Sequence, residues 1–266
     1  MAENTILTKG TDKKRRVWEI DFLRGFCMLF VMWDHLMYDI WALFASEITT
    51  SWGKAVAAFA KSYWTSGIRT ATHHWFVGVF VVVSGLSIVF SKNDLLKALK
   101  VAAAALLITV VTLIAQDVMG SRTQILFGIL HMLASCGLIC WLLKKLKTPD
   151  WGVFVVAVTS LVIGYYFQSQ HLTLPPNDWM MFLVDNLRGY AVSSDFFPLL
   201  PWLGWFLLGY LAGKFLYKDK STKIPCINEK YVSPITFVGR HSLIFYLASQ
   251  AVGIVLLGFL VLVGLI

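Results

Sequence analysis

Long apolar segments are the feature of this sequence that most limits how the chain can fold. A helix needs roughly 20 mostly apolar residues to cross the hydrocarbon core of a bilayer. Seven stretches meet this need, at about residues 20–44, 74–91, 98–118, 124–143, 151–168, 197–217 and 236–264. Of the 266 residues, 58% are hydrophobic and 14% charged, whereas soluble domains average about 45–50% and 25%. We therefore predict an all-α polytopic membrane protein with about seven transmembrane helices in one bundle.

The distribution of basic residues predicts the orientation of these helices. With the N-terminus in the cytoplasm, 18 of the 23 Lys and Arg side chains fall on the cytoplasmic side. Such a bias is typical of cytoplasmic loops, and it explains the net charge of +8 without a nucleic-acid partner. We expect a basic cytoplasmic segment at 1–19, a transmembrane domain at 20–266 and no cleaved signal peptide, since the first span is too long for one.

The connections and the cysteines add three expectations. Residues 45–73, outside the membrane, are expected to include an amphipathic interfacial helix. The last apolar stretch is long for one span, so it either tilts or begins as a cytoplasmic helix. No cysteine pair has zinc-type spacing, and no metal site is expected.

The first span carries polar residues that cannot all face lipid. Arg24 and His35 are 11 residues apart, which is three helical turns plus about 20°, so they share one face about 16 Å apart along the axis. Asp21 lies one turn before Arg24 on nearly the same face. Such a face must line a cavity or a bundle interior. The alternative is that Asp21 and Arg24 form an ion pair at the membrane interface, and that Asp34 and His35 are buried residues whose hydrogen bonds are satisfied by their neighbours.

Candidate catalytic residues fall in the outer half of the predicted bundle. They come from four different spans and comprise His35, His73, His74, Asp117 and His131. An imidazole near a carboxylate can take up a proton near neutral pH and activate an alcohol or an amine. Adjacent helical residues diverge by about 100°, so we expect Asp117 or His131, rather than the neighbouring Asp34, to orient His35.

A basic vestibule is predicted at the cytoplasmic side, formed by Arg24, Arg240, His241, Lys214 and the Lys-rich stretch 218–230. Guanidinium groups bind phosphates in a bidentate manner, so this vestibule suits an anionic phosphate-bearing ligand. The positive-inside rule or contact with anionic headgroups would explain it equally well.

The basic vestibule and the outer histidine candidates fit two functions equally well. One is acyl transfer from a cytoplasmic donor to an outer acceptor, and the other is proton-coupled transport of a small solute. A membrane scaffold is a third, weaker alternative. Transporters more often show inverted repeats and helices broken by Gly or Pro in mid-span, and no internal repeat is visible in the sequence.

Four motifs in order resemble the heparan-alpha-glucosaminide N-acetyltransferase catalytic-domain family. They are RVWEIDFLRG at 16–25 with Asp34-His35, FGILHM at 127–132, FFPLLPWLG at 196–204 and GRHSLIFYL at 239–247. Together they run from about residue 15 to 250. The resemblance implies a bacterial cytoplasmic-membrane acyltransferase that moves acetyl from acetyl-CoA to an extracytoplasmic carbohydrate acceptor, with no metal and with oligomeric state left open. It carries over roles for Asp21, Arg24, His35, His131 and His241. Together with the basic vestibule, it predicts that Asp21, Arg24, Arg240 and His241 bind the donor.

Two positions depart from the family pattern. Many bacterial members read Tyr-Leu-x-His-Gln in the last span, whereas this chain has Ser249 before Gln250. Residues 46–72 contain no histidine, although the proposed catalytic histidine of the lysosomal enzyme lies in the loop after the first span. His35, or the pair His73-His74, would have to serve instead. We expect His35 to be the general base or the imidazole that briefly accepts the acyl group.

Overall fold

The computed structural model describes residues 17–119, 123–175, 179–224 and 229–266. Within these ranges the chain forms ten α-helices and no β-strand. The helices are α1 (Trp18–Tyr38), α2 (Ser51–Trp64), α3 (Gly67–Leu86), α4 (Asp94–Met119), α5 (Ile129–Lys145), α6 (Asp150–Ser169), α7 (Leu187–Val192), α8 (Leu199–Leu216), α9 (Glu229–Arg240) and α10 (Ser242–Leu262). A π-helical turn, Asp39–Leu43, continues α1.

The predicted all-α membrane architecture is confirmed. In the described part of the chain, six helices are long and apolar enough to cross a membrane: α1, α3, α4, α6, α8 and α10, some with their flanking turns. The remaining predicted span corresponds to α5, which has only 17 residues. Residues 1–16 of the basic segment predicted at 1–19 lie outside the described residues.

The relative direction of α1 and α10 supports an odd number of passages. His35 contacts Ser249, and Asp39, one turn further along α1, contacts Gln250. Phe44 then lies beside Gly258. Residue numbers rise together on both helices, so α1 and α10 run parallel, as the first and last of seven alternating spans must.

Two sequence expectations about the connections are resolved. The connection between α1 and α3 contains the amphipathic helix α2, whose Ala60 packs with Met37 and Leu257 in a small apolar cluster. The long last segment is not one tilted span: its helix breaks at His241 into the polar, amphipathic α9 and the apolar α10.

The main core forms around α8. Leu207 and Phe206 of α8 pack with Val81 of α3, Met132 of α5 and Ala157 of α6. Helices α6 and α3 flank α8 on either side, α4 pairs with α5, and α1 packs against α3, α9 and α10. This arrangement leaves α1 with one long face along α9 and α10, which is the face that carries the candidate residues.

Ion pairs join helix ends as the alternating topology requires. Lys144 at the end of α5 pairs with Asp94 at the start of α4, and Lys214 at the end of α8 pairs with Asp150 at the start of α6. Arg240 at the end of α9 contacts the first turn of α1. We call this side of the bundle, which also holds Arg24, the basic end, and the side that holds His35 the far end.

The crossing of α1 and α9 has no room for side chains, which leads to the first testable prediction. A Cβ atom on Gly25 would fall on the carbonyl oxygen of Ile235. Neither backbone can yield without separating the helices, so Gly25→Ala is expected to destabilise the protein by about 1–3 kcal/mol, the usual cost of overpacking. Thermal unfolding in detergent measures this loss.

Gly78→Ala is the matched control. Gly78 also lies inside a membrane-sized helix, α3, but a Cβ atom there meets nothing within 4 Å. Because alanine favours helix over glycine by about 0.5–1 kcal/mol, this variant should melt at the wild-type temperature or slightly above it. Equal melting temperatures for the two variants would contradict the tight crossing.

Candidate active site

Asp21, Arg24 and Arg240 form one cluster at the basic end. Arg24 Nη1 donates to Asp21 Oδ1 at 3.4 Å and to the carbonyl oxygen of Gly239 at 3.4 Å. Arg240 Nε donates to Asp21 Oδ2 at 3.3 Å. One carboxylate therefore holds two guanidinium groups side by side. Among the described residues, Nε and Nη2 of Arg24 make no hydrogen bond to the protein.

His241 lies at the basic end but contacts its own helix rather than this cluster. Its Nδ1–H donates to the carbonyl oxygen of Phe237 at 3.0 Å, and the two rings are 4.5 Å apart. The imidazole is exposed and follows Arg240 directly, at the junction of α9 and α10.

His35 lies at the far end, between α1 and α10. Its Nδ1 is 3.3 Å from Ser249 Oγ, and its ring contacts the Tyr246 ring edge-on at 5.6 Å between centroids. Arg24 contacts α9 and His35 contacts α10, so the shared face predicted for these two residues is the one that faces the α9–α10 segment. The sequence suggested Asp117 or His131 as the partner of His35, and the structure gives it Ser249 instead.

Asp34 links α1, α2 and α3 at the far end. Tyr63 OH donates to Asp34 Oδ1 at 2.6 Å, and Arg69 Nη2 donates to Oδ2 at 2.8 Å. His73 Nε2 is 3.8 Å from the same Oδ2, and the Arg69 guanidinium lies 3.8 Å from the centre of the Trp64 ring. The carboxylate next to His35 in sequence thus serves His73 and Arg69, which agrees with the divergence of adjacent helical residues.

His131 occupies the first turn of α5, and both of its ring nitrogens are used there. Nδ1 accepts from the backbone N–H of Gly128 at 3.2 Å, and Nε2 is 3.0 Å from Thr109 Oγ1. The Thr109 hydroxyl in turn donates to the carbonyl oxygen of Ile125 at 2.8 Å. These contacts close the helix start and fix α5 against α4, a capping function that the sequence analysis did not consider.

Asp195 connects the start of α5 with α10. Its Oδ2 accepts from the backbone N–H of Ile129 at 3.1 Å and from Tyr246 OH at 3.5 Å. Burial raises the pKa of Asp195 to about 6, against the lowering effect of these two hydrogen bonds. Because the Tyr246 ring also contacts His35, Asp195 and Tyr246 lie between His35 and His131.

Two of the predicted catalytic residues, Asp117 and His74, are exposed. Asp117 is exposed near the end of α4, and in the described ranges no hydrogen bond joins it to a histidine. His74 is exposed, and its Nδ1–H donates to the carbonyl oxygen of Thr70 at 2.8 Å.

Of the far-end candidates, His35 and the α5 start that holds His131 are linked through Tyr246 and Asp195. His73 lies beside Asp34, and its ring contacts that of His74 at 6.1 Å between centroids. Asp117 has no such link to a histidine among the described residues.

Sequence reasoning missed several polar residues at the far end. Arg69 was counted only as an outer charge, Ser249 only as a departure from a family motif, and Asp195 not at all. Asp39 was also missed: it is completely buried, its Oδ1 accepts from Gln250, and its Oδ2 has no partner among the described residues. Asp39, Ser249 and Gln250 could have been found, because polar side chains inside predicted apolar spans are functional candidates. Arg69 and Asp195 lie outside the predicted spans and give no such signal.

A metal centre finds no support in the described part of the chain, where no three His, Cys, Asp or Glu side chains are grouped closely enough to hold an ion. The arrangement instead offers a cationic cluster at one end of α1 and an imidazole at the other.

Comparison with protein families agrees with the four sequence motifs. The family model described as "Heparan-alpha-glucosaminide N-acetyltransferase, catalytic" matches residues 16–251. The chain belongs to this family. The match covers most of the 266 residues and every candidate residue described above, and it identifies the chain as a member of a membrane acetyltransferase family. No curated protein and no solved structure matches the chain.

Proposed function

We propose that this protein is an acyl-CoA-dependent acyltransferase of a bacterial cytoplasmic membrane. It moves an acyl group, acetyl in our proposal, from cytoplasmic acetyl-CoA to an extracytoplasmic carbohydrate-type acceptor, with the N-terminus in the cytoplasm. The observation that carries this proposal is the single face of α1, which presents Arg24 to α9 and His35 to α10. Membership of the acetyltransferase family supports the same chemistry.

The basic end is the proposed donor site. Asp21 sets the guanidinium groups of Arg24 and Arg240 side by side, and a planar guanidinium binds phosphate oxygens in a bidentate manner. The phosphates of CoA would bind here, with the adjacent His241 as a further contact. The pantetheine arm would then extend along the α1 face, over the rise of about 16 Å that separates Arg24 from His35.

The far end is the proposed site of transfer. His35 accepts a proton from the hydroxyl or amine of the acceptor, while the oxygen or nitrogen of the acceptor attacks the thioester carbonyl carbon. The carbon–sulfur bond then breaks, and the departing CoA thiolate takes the proton from the imidazole. No charge is left on the protein, and the products are the acylated acceptor and CoA thiol.

Incubation of the purified protein in lipid vesicles with radiolabelled acetyl-CoA tests this function. Glucosamine is the probe acceptor on the opposite side of the membrane. The expected result is saturable binding of acetyl-CoA and appearance of label in N-acetylglucosamine. Folded protein that binds no acetyl-CoA would overturn the proposal, and so would movement of unmodified glucosamine across the vesicle membrane without acetylation.

A second prediction concerns the donor site alone. Arg24→Ala should weaken acetyl-CoA binding at least tenfold, about 1.4 kcal/mol, because it removes a guanidinium that faces the donor phosphates. Isothermal calorimetry measures the affinity, and Arg24→Lys should give an intermediate value because lysine keeps the charge but not the bidentate geometry.

Lys145→Ala is the charge-matched control for Arg24→Ala. Lys145 lies at the basic end in the last turn of α5 and contacts only the Trp141 ring in the described structure, at 5.0 Å. Its removal lowers the positive charge of this end by the same amount, so acetyl-CoA affinity should stay close to wild type. An equal loss in both variants would mean that the donor responds to overall charge, and Arg24 would then be no specific ligand.

A further inference from the structure

The hydrogen-bonding of Ser249 determines which nitrogen of His35 carries the proton. The Ser249 hydroxyl has one hydrogen, and its oxygen lies 3.0 Å from the carbonyl oxygen of Tyr246. A carbonyl only accepts, so the hydroxyl hydrogen points there. The lone pairs of Ser249 Oγ then face His35 Nδ1 at 3.3 Å, and this contact is a hydrogen bond only if Nδ1 donates.

We propose that Ser249 is a positioning residue, which holds neutral His35 in the Nδ1–H tautomer and leaves Nε2 unprotonated toward the acceptor. This inference rests on the proposed function, because it specifies how the base of that reaction is prepared. Nε2 of His35 makes no hydrogen bond to any described residue. It is also not one of the fully buried polar atoms that lack a hydrogen-bond partner. In a neutral imidazole the unprotonated nitrogen is the one that can accept a proton.

His131 is held in the opposite tautomer by its own hydrogen bonds. The Gly128 N–H donates to its Nδ1, so that nitrogen is unprotonated. The Thr109 hydroxyl hydrogen goes to Ile125 O, so Thr109 Oγ1 must accept from Nε2–H. Both nitrogens of His131 are engaged with protein, whereas His35 keeps one nitrogen for a substrate.

Contacts around Ser249 fix its position relative to the His35 imidazole. Gln250, the next residue, donates to the buried carboxylate of Asp39, which lies one turn after His35 on α1. Tyr246, which receives the Ser249 hydroxyl hydrogen, also contacts the His35 ring and reaches Asp195. The two helices are therefore tied on both sides of the His35–Ser249 contact, which limits rotation of the ring.

Nitrogen-15 NMR of the histidine-labelled protein in lipid tests the tautomer directly, at a pH where His35 is neutral. The resonance pair lost in His35→Gln identifies the residue. We expect a protonated Nδ1 and an unprotonated Nε2 in the wild type, a mixture of tautomers in Ser249→Ala, and the wild-type pattern in Ser249→Thr, which retains the hydroxyl. A wild type with its proton on Nε2 would overturn the inference.

Kinetics supply the second readout. Ser249→Ala should lower kcat for acetyl transfer to glucosamine by about 10- to 100-fold, by analogy with the loss found when the hydrogen-bond partner of a metal-binding imidazole is removed. KM for glucosamine and the affinity for acetyl-CoA should stay near wild type. Ser249→Thr should restore most of kcat. A KM increase with unchanged kcat would contradict a positioning role.

Ser160→Ala is the matched control, because Ser160 is a helical serine whose hydroxyl also donates to a carbonyl oxygen of its own helix, that of Val156 at 2.7 Å. It should leave kcat and the histidine spectrum unchanged. The two proposals fail separately: a wild type that transfers no acetyl group but shows Nδ1–H at His35 refutes the proposed function and supports the tautomer assignment.

Discussion

His35→Ala is expected to remove most acetyl transfer while the protein still binds acetyl-CoA with nearly wild-type affinity. General-base catalysis contributes about 10² to 10⁴ in rate, and His35 lies about 16 Å along α1 from the proposed phosphate contacts. The base acts on the acceptor, so the donor complex forms without it. Steady-state turnover with glucosamine measures the first effect, and calorimetry with acetyl-CoA measures the second.

The competing candidate at the far end is His73, which lies beside the carboxylate of Asp34. If His35→Ala keeps its activity and His73→Ala loses it, the base lies at the start of α3 and the assignment to His35 is wrong. His171→Asn serves as the matched control. His171 is an exposed histidine just beyond α6 with a positive φ of 47°, a conformation that asparagine tolerates, so this variant should turn over at the wild-type rate.

The helices were predictable from the sequence because membrane insertion is decided by local composition. Each span needs its own run of apolar residues and satisfies its own backbone hydrogen bonds. The exceptions have local causes as well. The polar, proline-containing segment 229–240 forms α9 as a separate helix, and α5 is shorter than its apolar run because Gly128, His131 and Asp195 close its start at Ile129.

Only the part of the site that lies on a single helix, α1, could be predicted from the sequence. The shared face of Arg24 and His35 follows from helical periodicity, but their partners do not. Gly239 and Ser249 are 215 and 214 positions away along the chain, and periodicity within one helix contains no information on which neighbour it meets. His131 illustrates the converse: its capping contact with Gly128 is local, and a polar side chain three residues into a helix is a recognisable capping position.

Asp34→Ala is expected to cost about 3–5 kcal/mol of stability, the usual penalty for leaving one member of a buried ion pair without its partner. The side chains of Asp34 and Arg69 are 12% and 16% exposed, and Tyr63 loses its acceptor in the same change. Helix α2 is attached to α1 and α3 through these contacts, so we expect it to loosen first. Denaturant unfolding in detergent, followed by tryptophan fluorescence, measures the loss.

Asp150→Ala is the matched control, since it breaks an ion pair with Lys214 whose side chains are 60% and 42% exposed. An exposed pair contributes about 0–1 kcal/mol, so this variant should be nearly as stable as wild type. The double variant Asp34→Ala/Arg69→Leu should recover part of the loss, because it removes the charge that Asp34→Ala leaves unpaired. If Asp34→Ala proves as stable as Asp150→Ala, the Asp34–Arg69 pair does not hold α2 to the bundle, and the far end is organised by its apolar contacts instead.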